Sequence, residues 1–164
     1  MVLITSDSGS GDSSVMAGVF FTTPFEDGIN YTITSEFGDR EDPFGGTQAF
    51  HSGIDLSALE GTNIVASGDG VVVEVGFQED GLGNYVYIEH NYNGVIFYSA
   101  YGHMLDDSIV VSEGEQVTAK QKIGVIGSTG KSTGTHLHFT LMSPNLKFDK
   151  DNLVNPINVI NGLD

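Results

Sequence analysis

The sequence predicts an all-β domain, an antiparallel β-barrel or sandwich with long loops and little helix. Short apolar runs rich in Val, Ile, Tyr and Phe are punctuated by glycine, and several alternate with period two. No window of eleven or more residues sustains helical apolar spacing. Glycine is abundant, with 22 residues against 4 prolines, which favours tight turns over a Pro-rich disordered chain.

Taken in chain order, the stretch from Thr5 to Ser14 is almost wholly Ser, Gly and Asp and has nothing to bury. Residues 1–19 are therefore expected to be a flexible leader or linker, with the folded domain spanning 20–164. Gly70–Gly76, Asn84–His90 and Val95–Tyr101 read as strands, the last two separated by the hairpin-like turn Asn91-Tyr92-Asn93-Gly94. Lys122–Gly127 and Leu137–Met142 supply two more strands, and a short helix is expected after Pro156. The sequence contains no internal repeat.

The 164 residues include 22 acidic and 6 basic side chains, giving a net charge of −16. That balance excludes nucleic acid and anionic membrane surfaces as partners, since both require basic patches. The absence of cysteine excludes disulfides, thiol nucleophiles and Cys-based zinc sites. No stretch approaches the roughly 20 apolar residues of a membrane span. Met1–Ile4 is apolar but too short for a signal peptide and has no positive n-region. The chain is expected to be part of a larger protein or to be delivered by another route.

Without cysteine, a metal site must draw on His, Asp and Glu. In His136-Leu137-His138-Phe139-Thr140-Leu141-Met142, a strand would point His136, His138 and Thr140 to one face. Leu137, Phe139 and Leu141 would then face the core. The two imidazoles would stand ~7 Å apart along the backbone, opposite an apolar face, which points to a metal or catalytic role for one or both. His51-Ser52-Gly53-Ile54-Asp55 is a second half-site. Fully extended, it would separate His51 from Asp55 by ~13 Å, too far for one metal with ligands at about 2 Å. A bend or bulge at Gly53 is needed to bring both side chains together. His103 ends an apolar run at Gly102, where a loop can present it to a cleft. His90, beside the hairpin turn, reads as structural or solvent-exposed.

Two segments imitate other functions. Gly130-Lys131-Ser132-Thr133 looks like the end of a phosphate-binding loop, but position 125 is valine and a strand rather than a helix follows. Glu113–Gly124 has the turn-and-strand pattern of lipoyl and biotin carriers without their flanked, protruding lysine, and reads as scaffold.

Together the motifs resemble the lysostaphin-type (LytM-type) zinc metallopeptidases, bacterial enzymes that cut peptide bonds in peptidoglycan. The resemblance runs from about Phe25 to Ile160. It takes in Phe37-Gly38-Asp39-Arg40, Asp42-Pro43, His51-x-Gly53-x-Asp55, Gly83-Asn84-Tyr85-Val86 with His90, and Tyr101-x-His103. It continues through Gly127-Ser128-Thr129-Gly130-x-Ser132-Thr133-Gly134-x-His136-x-His138-Phe139 to Asn155-Pro156. It implies loops around a zinc cleft, with His51, Asp55 and His138 as Zn2+ ligands, His103 and His136 in catalytic roles, and an open fourth position for water. No external cofactor besides zinc is implied.

The implied substrate is a peptide of bacterial peptidoglycan, cut at a cross-bridge or at a stem-peptide cross-link, and the implied location is extracytoplasmic. Degenerate relatives of this fold activate other wall hydrolases without cutting, which is the alternative function. Members that cut glycine-rich bridges typically carry a tyrosine shortly before the first ligand. Here Gly38–Phe50 offers Phe44 and Phe50 but no tyrosine, so stem-peptide cross-links are at least as strongly implied as glycyl-glycine bonds. A charge of −16 should repel the domain from anionic wall polymers, so targeting is expected from other modules or from a delivery apparatus.

Overall fold

The computed structural model describes residues 21–41 and 48–160. The expected leader 1–19, Asp42-Pro43 and Phe44 lie outside the described residues. Among the described residues twelve strands run in order: β1 Thr32–Ser35, β2 Gly38–Glu41, β3 Gln48–His51, β4 Ile54–Ser57, β5 Asn63–Val65 and β6 Gly70–Gln78. They continue as β7 Gly83–Tyr92, β8 Val95–Met104, β9 Gln116–Val117, β10 Lys122–Val125, β11 Leu137–Met142 and β12 Leu153–Val154. Helix among the described residues is confined to two 3-10 turns, Lys150–Asn152 and Pro156–Asn158. The second starts at the proline that the sequence marks, and the Asn155 side chain caps it by accepting from Ile157 N–H.

The main sheet follows the order β1-β4-β11-β8-β7-β6-β9, with β12 added against β11. Two small sheets, β10-β5 and β2-β3, complete the fold, and every strand pair is antiparallel. The path ends at β1 and β9 rather than closing on itself.

Period-two alternation sorts the long strands between two apolar layers. Val86, Ile88, Phe97, Tyr101, Leu137, Phe139 and Leu141 join Phe21, Phe25, Ile54 and Leu56 in the principal core. Their neighbours Tyr85, Tyr87, Ala100 and Met142 pack with Leu153 on the opposite face. β11 is therefore buried along its whole length. The face that carries His138 and Thr140 is the floor of a cleft, not open solvent.

His90 belongs to the principal core. It is completely buried, with Phe21 edge-on at 5.0 Å between ring centroids. A chain of polar groups crosses the core through it. Ser67 N–H donates to the Tyr101 hydroxyl (2.9 Å), which lies 2.8 Å from Ser99 Oγ, and Ser99 Oγ lies 2.7 Å from His90 Nε2. On the other side His90 Nδ1–H donates to the Asp69 carbonyl at 2.8 Å. One proton order satisfies every member: Tyr101 donates to Ser99 and Ser99 donates to a neutral His90. Burial pushes His90 down to about 4, against smaller opposing pulls from Asp69 and Glu89.

The fold thus binds the neutral ring, while an unfolded chain takes up a proton below its ordinary value of about 6.5. Stability from this group is complete above that pH and is lost as pH falls toward 4, by roughly 3 kcal/mol. Urea unfolding of the wild type and of His90→Gln, compared between pH 7 and 4, isolates this contribution. The variant should be less stable at pH 7 and show a flatter acid slope; parallel slopes would remove His90 from the account.

Candidate metal centre and its cleft

Three strands bring the predicted residues together. β4 and β11 pair with His138 opposite Asp55, and β11 and β8 pair with His138 opposite Gly102. Asp55 and His138 are therefore neighbours on one face. His51 arrives from β3, which belongs to a different sheet, because the chain bends at Ser52-Gly53 on its way into β4. Only glycine fits that bend: a Cβ at position 53 would lie 2.1 Å from the Phe139 carbonyl oxygen. Nε2 of His51 consequently sits 3.3 Å from Asp55 Oδ1, although the extended sequence would hold the residues far apart.

Asp55 Oδ1 is also 3.1 Å from His138 Nδ1, and the two imidazole nitrogens are 3.3 Å apart. The outer nitrogens are already engaged. His51 Nδ1–H donates to the Glu36 carbonyl at 3.0 Å, and His138 Nε2 lies 2.7 Å from Thr140 Oγ1 and 3.3 Å from Ser52 Oγ. The inner atoms converge on one point, where the two rings can donate to Asp55 or, with a cation bound, would turn lone pairs toward it. The spacing fits zinc, since a tetrahedral ion with bonds of about 2.0–2.1 Å separates its ligand atoms by about 3.3 Å. Burial works against ionising Asp55, but hydrogen bonds from His138 and His51 outweigh it and hold the carboxyl far below the usual carboxylate range. Burial likewise pushes His138 down, toward the neutral form that ligates.

His103 and His136 flank this trio, with ring centroids 4.7 Å apart. His136 precedes β11 rather than opening it, held by a bridge to Gly127, and its Nε2 lies 3.7 Å from Asp55 Oδ1. His103 reaches the cleft through a departure from alternation. Gly102 shares the face of His138, so regular pleating would turn His103 into the core. Instead β8 carries an extra residue opposite β7, between the pairs Val86–Tyr101 and Asn84–Met104. His103 takes φ +61°, a left-handed conformation uncommon outside glycine, and its ring swings back to the cleft. Its Nδ1–H donates to the Thr129 carbonyl at 2.7 Å. Burial lowers it to about 4.

The loop from Thr129 to Gly134, which contains the segment that imitates a phosphate-binding loop, braces both rings. Thr129 holds His103, while Gly134 O (2.9 Å) and Ser132 Oγ (3.2 Å) hold His136 Nδ1. The predicted five residues therefore converge, and His90 stands apart in the core.

The cleft encloses about 750 Å³ and extends past the trio along Ser52, Gln78, Gly81, Leu82, Tyr87, Lys131, Ser132, Thr133 and Phe148. Tyr87 is a cleft tyrosine that inspection of Gly38–Phe50 could not reveal, because it comes from β7. It stacks on Tyr85 with 4.5 Å between centroids. Burial, then the nearby Glu74 carboxylate, raises it above the ordinary tyrosine range, so its hydroxyl remains a donor. Period two in β7 puts Tyr85 and Tyr87 opposite Val86 and Ile88, but only the strand register shows that their face is that of His138.

Comparison with known proteins places this geometry in context. The model of peptidase family M23 matches residues 49–156. The peptidoglycan DD-endopeptidase ShyB of Vibrio cholerae is 37% identical over 118 residues, covering 71% of this chain and 26% of that protein. The murein hydrolase activator NlpD of Escherichia coli is 41% identical over 98 residues, covering 60% of this chain and 24% of that protein. The chain thus spans about a quarter of the length of these curated relatives. Among solved structures, a zinc-containing peptidase from Vibrio cholerae superimposes with a TM-score of 0.69 at 33% identity, covering 85% of this chain and 39% of that one.

The contact between Thr140 and His138 can be tested apart from any chemistry. Thr140→Val keeps the shape but removes the oxygen beside Nε2, and zinc affinity should fall by about 10- to 100-fold. Competition titration against a chelating dye measures this; unchanged affinity would mean that Thr140 does not orient the ring.

Proposed function

This chain belongs to peptidase family M23, and from that premise we propose that it is a zinc-dependent endopeptidase cutting peptide bonds in bacterial peptidoglycan. The observation that carries the proposal is the convergence of five groups in one cleft. Three are converging donors at tetrahedral spacing, and two are imidazoles braced from behind. His51 Nε2, Asp55 Oδ1 and His138 Nδ1 would hold the ion. When bound, zinc supplies Lewis-acid activation of water and of a scissile carbonyl.

The chain's own residues supply the proton chemistry and positioning. His103 and His136 each donate Nδ1–H to a backbone carbonyl, so each presents Nε2 to the cleft as a lone pair. Burial favours the neutral ring at His103. This pair accepts the proton released by the attacking water and returns it to the leaving amine, acting first as base and then as acid. Either ring, once protonated, also stabilises negative charge on the carbonyl oxygen as it develops. Tyr87 keeps its hydroxyl proton and adds a donor to the cleft lining.

A second function, non-catalytic activation of other wall hydrolases, is favoured by the similarity to NlpD. The complete set of donors and braced imidazoles favours the enzyme. A peptidoglycan substrate implies a working location outside the cytoplasm, and the charge of −16 favours targeting by further modules or a delivery apparatus.

Purified protein with zinc added should release new peptide ends from purified peptidoglycan, identified by mass spectrometry. Protein that holds zinc and stays inert on several cross-bridge types would favour the activator. His103→Ala and His136→Ala should each retain zinc by elemental analysis and lose at least ~10²-fold in activity. His138→Ala should lose zinc; retention there would overturn the ligand assignment.

A further inference from the structure

Beyond the trio the cleft runs along Gln78, Leu82, Tyr87 and Phe148, and one hydroxyl there has no acceptor among the described residues. It belongs to Tyr87, which is only 6% exposed. The Tyr87 ring stacks on Tyr85 and meets Phe148 at 6.1 Å between centroids. The groups around its oxygen are ordered by their neighbours. The Tyr85 hydroxyl donates to the Glu74 carboxylate, in space left by Gly76, where a Cβ would lie 2.5 Å from the Tyr85 oxygen. Gln78 Oε1 accepts from Leu82 N–H at 3.3 Å, and a Cβ on Gly81 would crowd it at 2.6 Å.

With its oxygen committed, the Gln78 amide turns N–H toward the two tyrosine oxygens and works against the upward shift of both. Tyr87 therefore takes a hydrogen bond from Gln78 and keeps a proton of its own to give. A donor so deeply buried is costly to leave unpaired, which points to an acceptor brought in through the cleft.

Strand register sets how far that acceptor lies from the metal centre. Tyr85, on which Tyr87 lies, stands opposite Gly102 and His103, and Gly102 pairs with His138. Two strand spacings of about 4.8 Å thus separate this part of β7 from His138. The floor between them is apolar: Gly102 is covered by Leu82, whose Cδ2 would lie 2.8 Å from an added Cβ. An extended peptide advances about 3.3 Å per residue, so it crosses this floor in roughly three residues.

We propose that Tyr87 is a substrate-binding residue whose hydroxyl donates to a backbone carbonyl of the peptide within about three residues of the scissile bond. This rests on the endopeptidase reading above and adds to it a contact remote from the reacting atoms. A neutral carbonyl suits the position better than a carboxylate, because the Glu74 carboxylate is close enough to act on Tyr87. The contact reads where a carbonyl stands along the backbone rather than which side chain it carries.

A linear peptide spanning the bond cut in peptidoglycan tests this. In a companion series each neighbouring amide is replaced in turn by an (E)-alkene, which keeps the shape and removes the carbonyl oxygen. For zinc-loaded wild type, replacement at one position should cost about five- to tenfold in kcat/KM, carried by KM. Tyr87→Phe keeps the stacked ring and should match wild type in zinc content and melting temperature. It should lose the same factor on the all-amide peptide and nothing further at that position, while replacements elsewhere cost both proteins alike. Calorimetric binding to zinc-loaded His103→Ala, with and without Tyr87→Phe, should show the same coupling. Wild-type cleavage of the all-amide peptide by Tyr87→Phe, or a further loss in that variant at every position, would overturn the role of Tyr87. Failure of the wild type to cut these peptides or peptidoglycan would instead overturn the endopeptidase reading.

Discussion

Pairing of His138 with Asp55 on one flank and with Gly102 on the other fixes where every other part of the centre must stand. A slip of one residue in either pairing would send His138 into the principal core and Phe139 into the cleft. The register is held by burial: Ile54 and Leu56 in β4, and Leu137, Phe139 and Leu141 in β11, are all completely buried on the far side. The contact between Gly53 and the Phe139 carbonyl makes the same register a condition for the bend that delivers His51. Packing on one face of the sheet thereby specifies chemistry on the other. The centre is coupled to the core even though none of its donors belongs to the core.

Those couplings explain which features the sequence alone discloses. Alternation in His136–Met142 identifies the apolar set Leu137, Phe139 and Leu141 and the facing set His138 and Thr140, because both are local consequences of the pleat. The distance argument at His51–Asp55 demands a bend, and Gly53 provides it. The long strands β6, β7 and β8 are apolar and alternating enough to stand out. Strands such as β1, β2 and β9 are short and mixed in polarity, so their pairing depends on tertiary partners rather than on pattern. Which nitrogen each histidine turns toward Asp55 is also invisible in sequence. It follows from which nitrogen meets Glu36 O or Thr140 Oγ1. The place of Tyr87 in the cleft is likewise a matter of register between β7 and β8, which no local pattern encodes.

Position 103 shows where local rules and function part. Alternation continued through Tyr101 and Gly102 would bury the ring among apolar side chains. The extra residue and the left-handed backbone at His103 reverse that outcome at a cost of order 1 kcal/mol. The Thr129 carbonyl and the pairing of His103 N–H with Leu82 O offset it. His90 is the contrasting case. It follows the pattern of its strand, is fully satisfied by Asp69 and Ser99, and holds a polar chain in order within the core. Two histidines from paired strands thus have opposite fates, decided by one inserted residue.

The donors at His51 and His138 are separated by 87 positions of chain, with seven strands from β4 to β10 between them. Contact of such long range is late to form, because the entropy of closing the intervening loop must be overcome before the pairing gives anything back. A ribosome emits the chain from its N-terminus, so β4 waits unpaired on its β11 side until β11 has emerged. During that interval the donors are dispersed. Topology by itself therefore withholds the assembled cleft until β11 has been made, after every strand from β4 to β10.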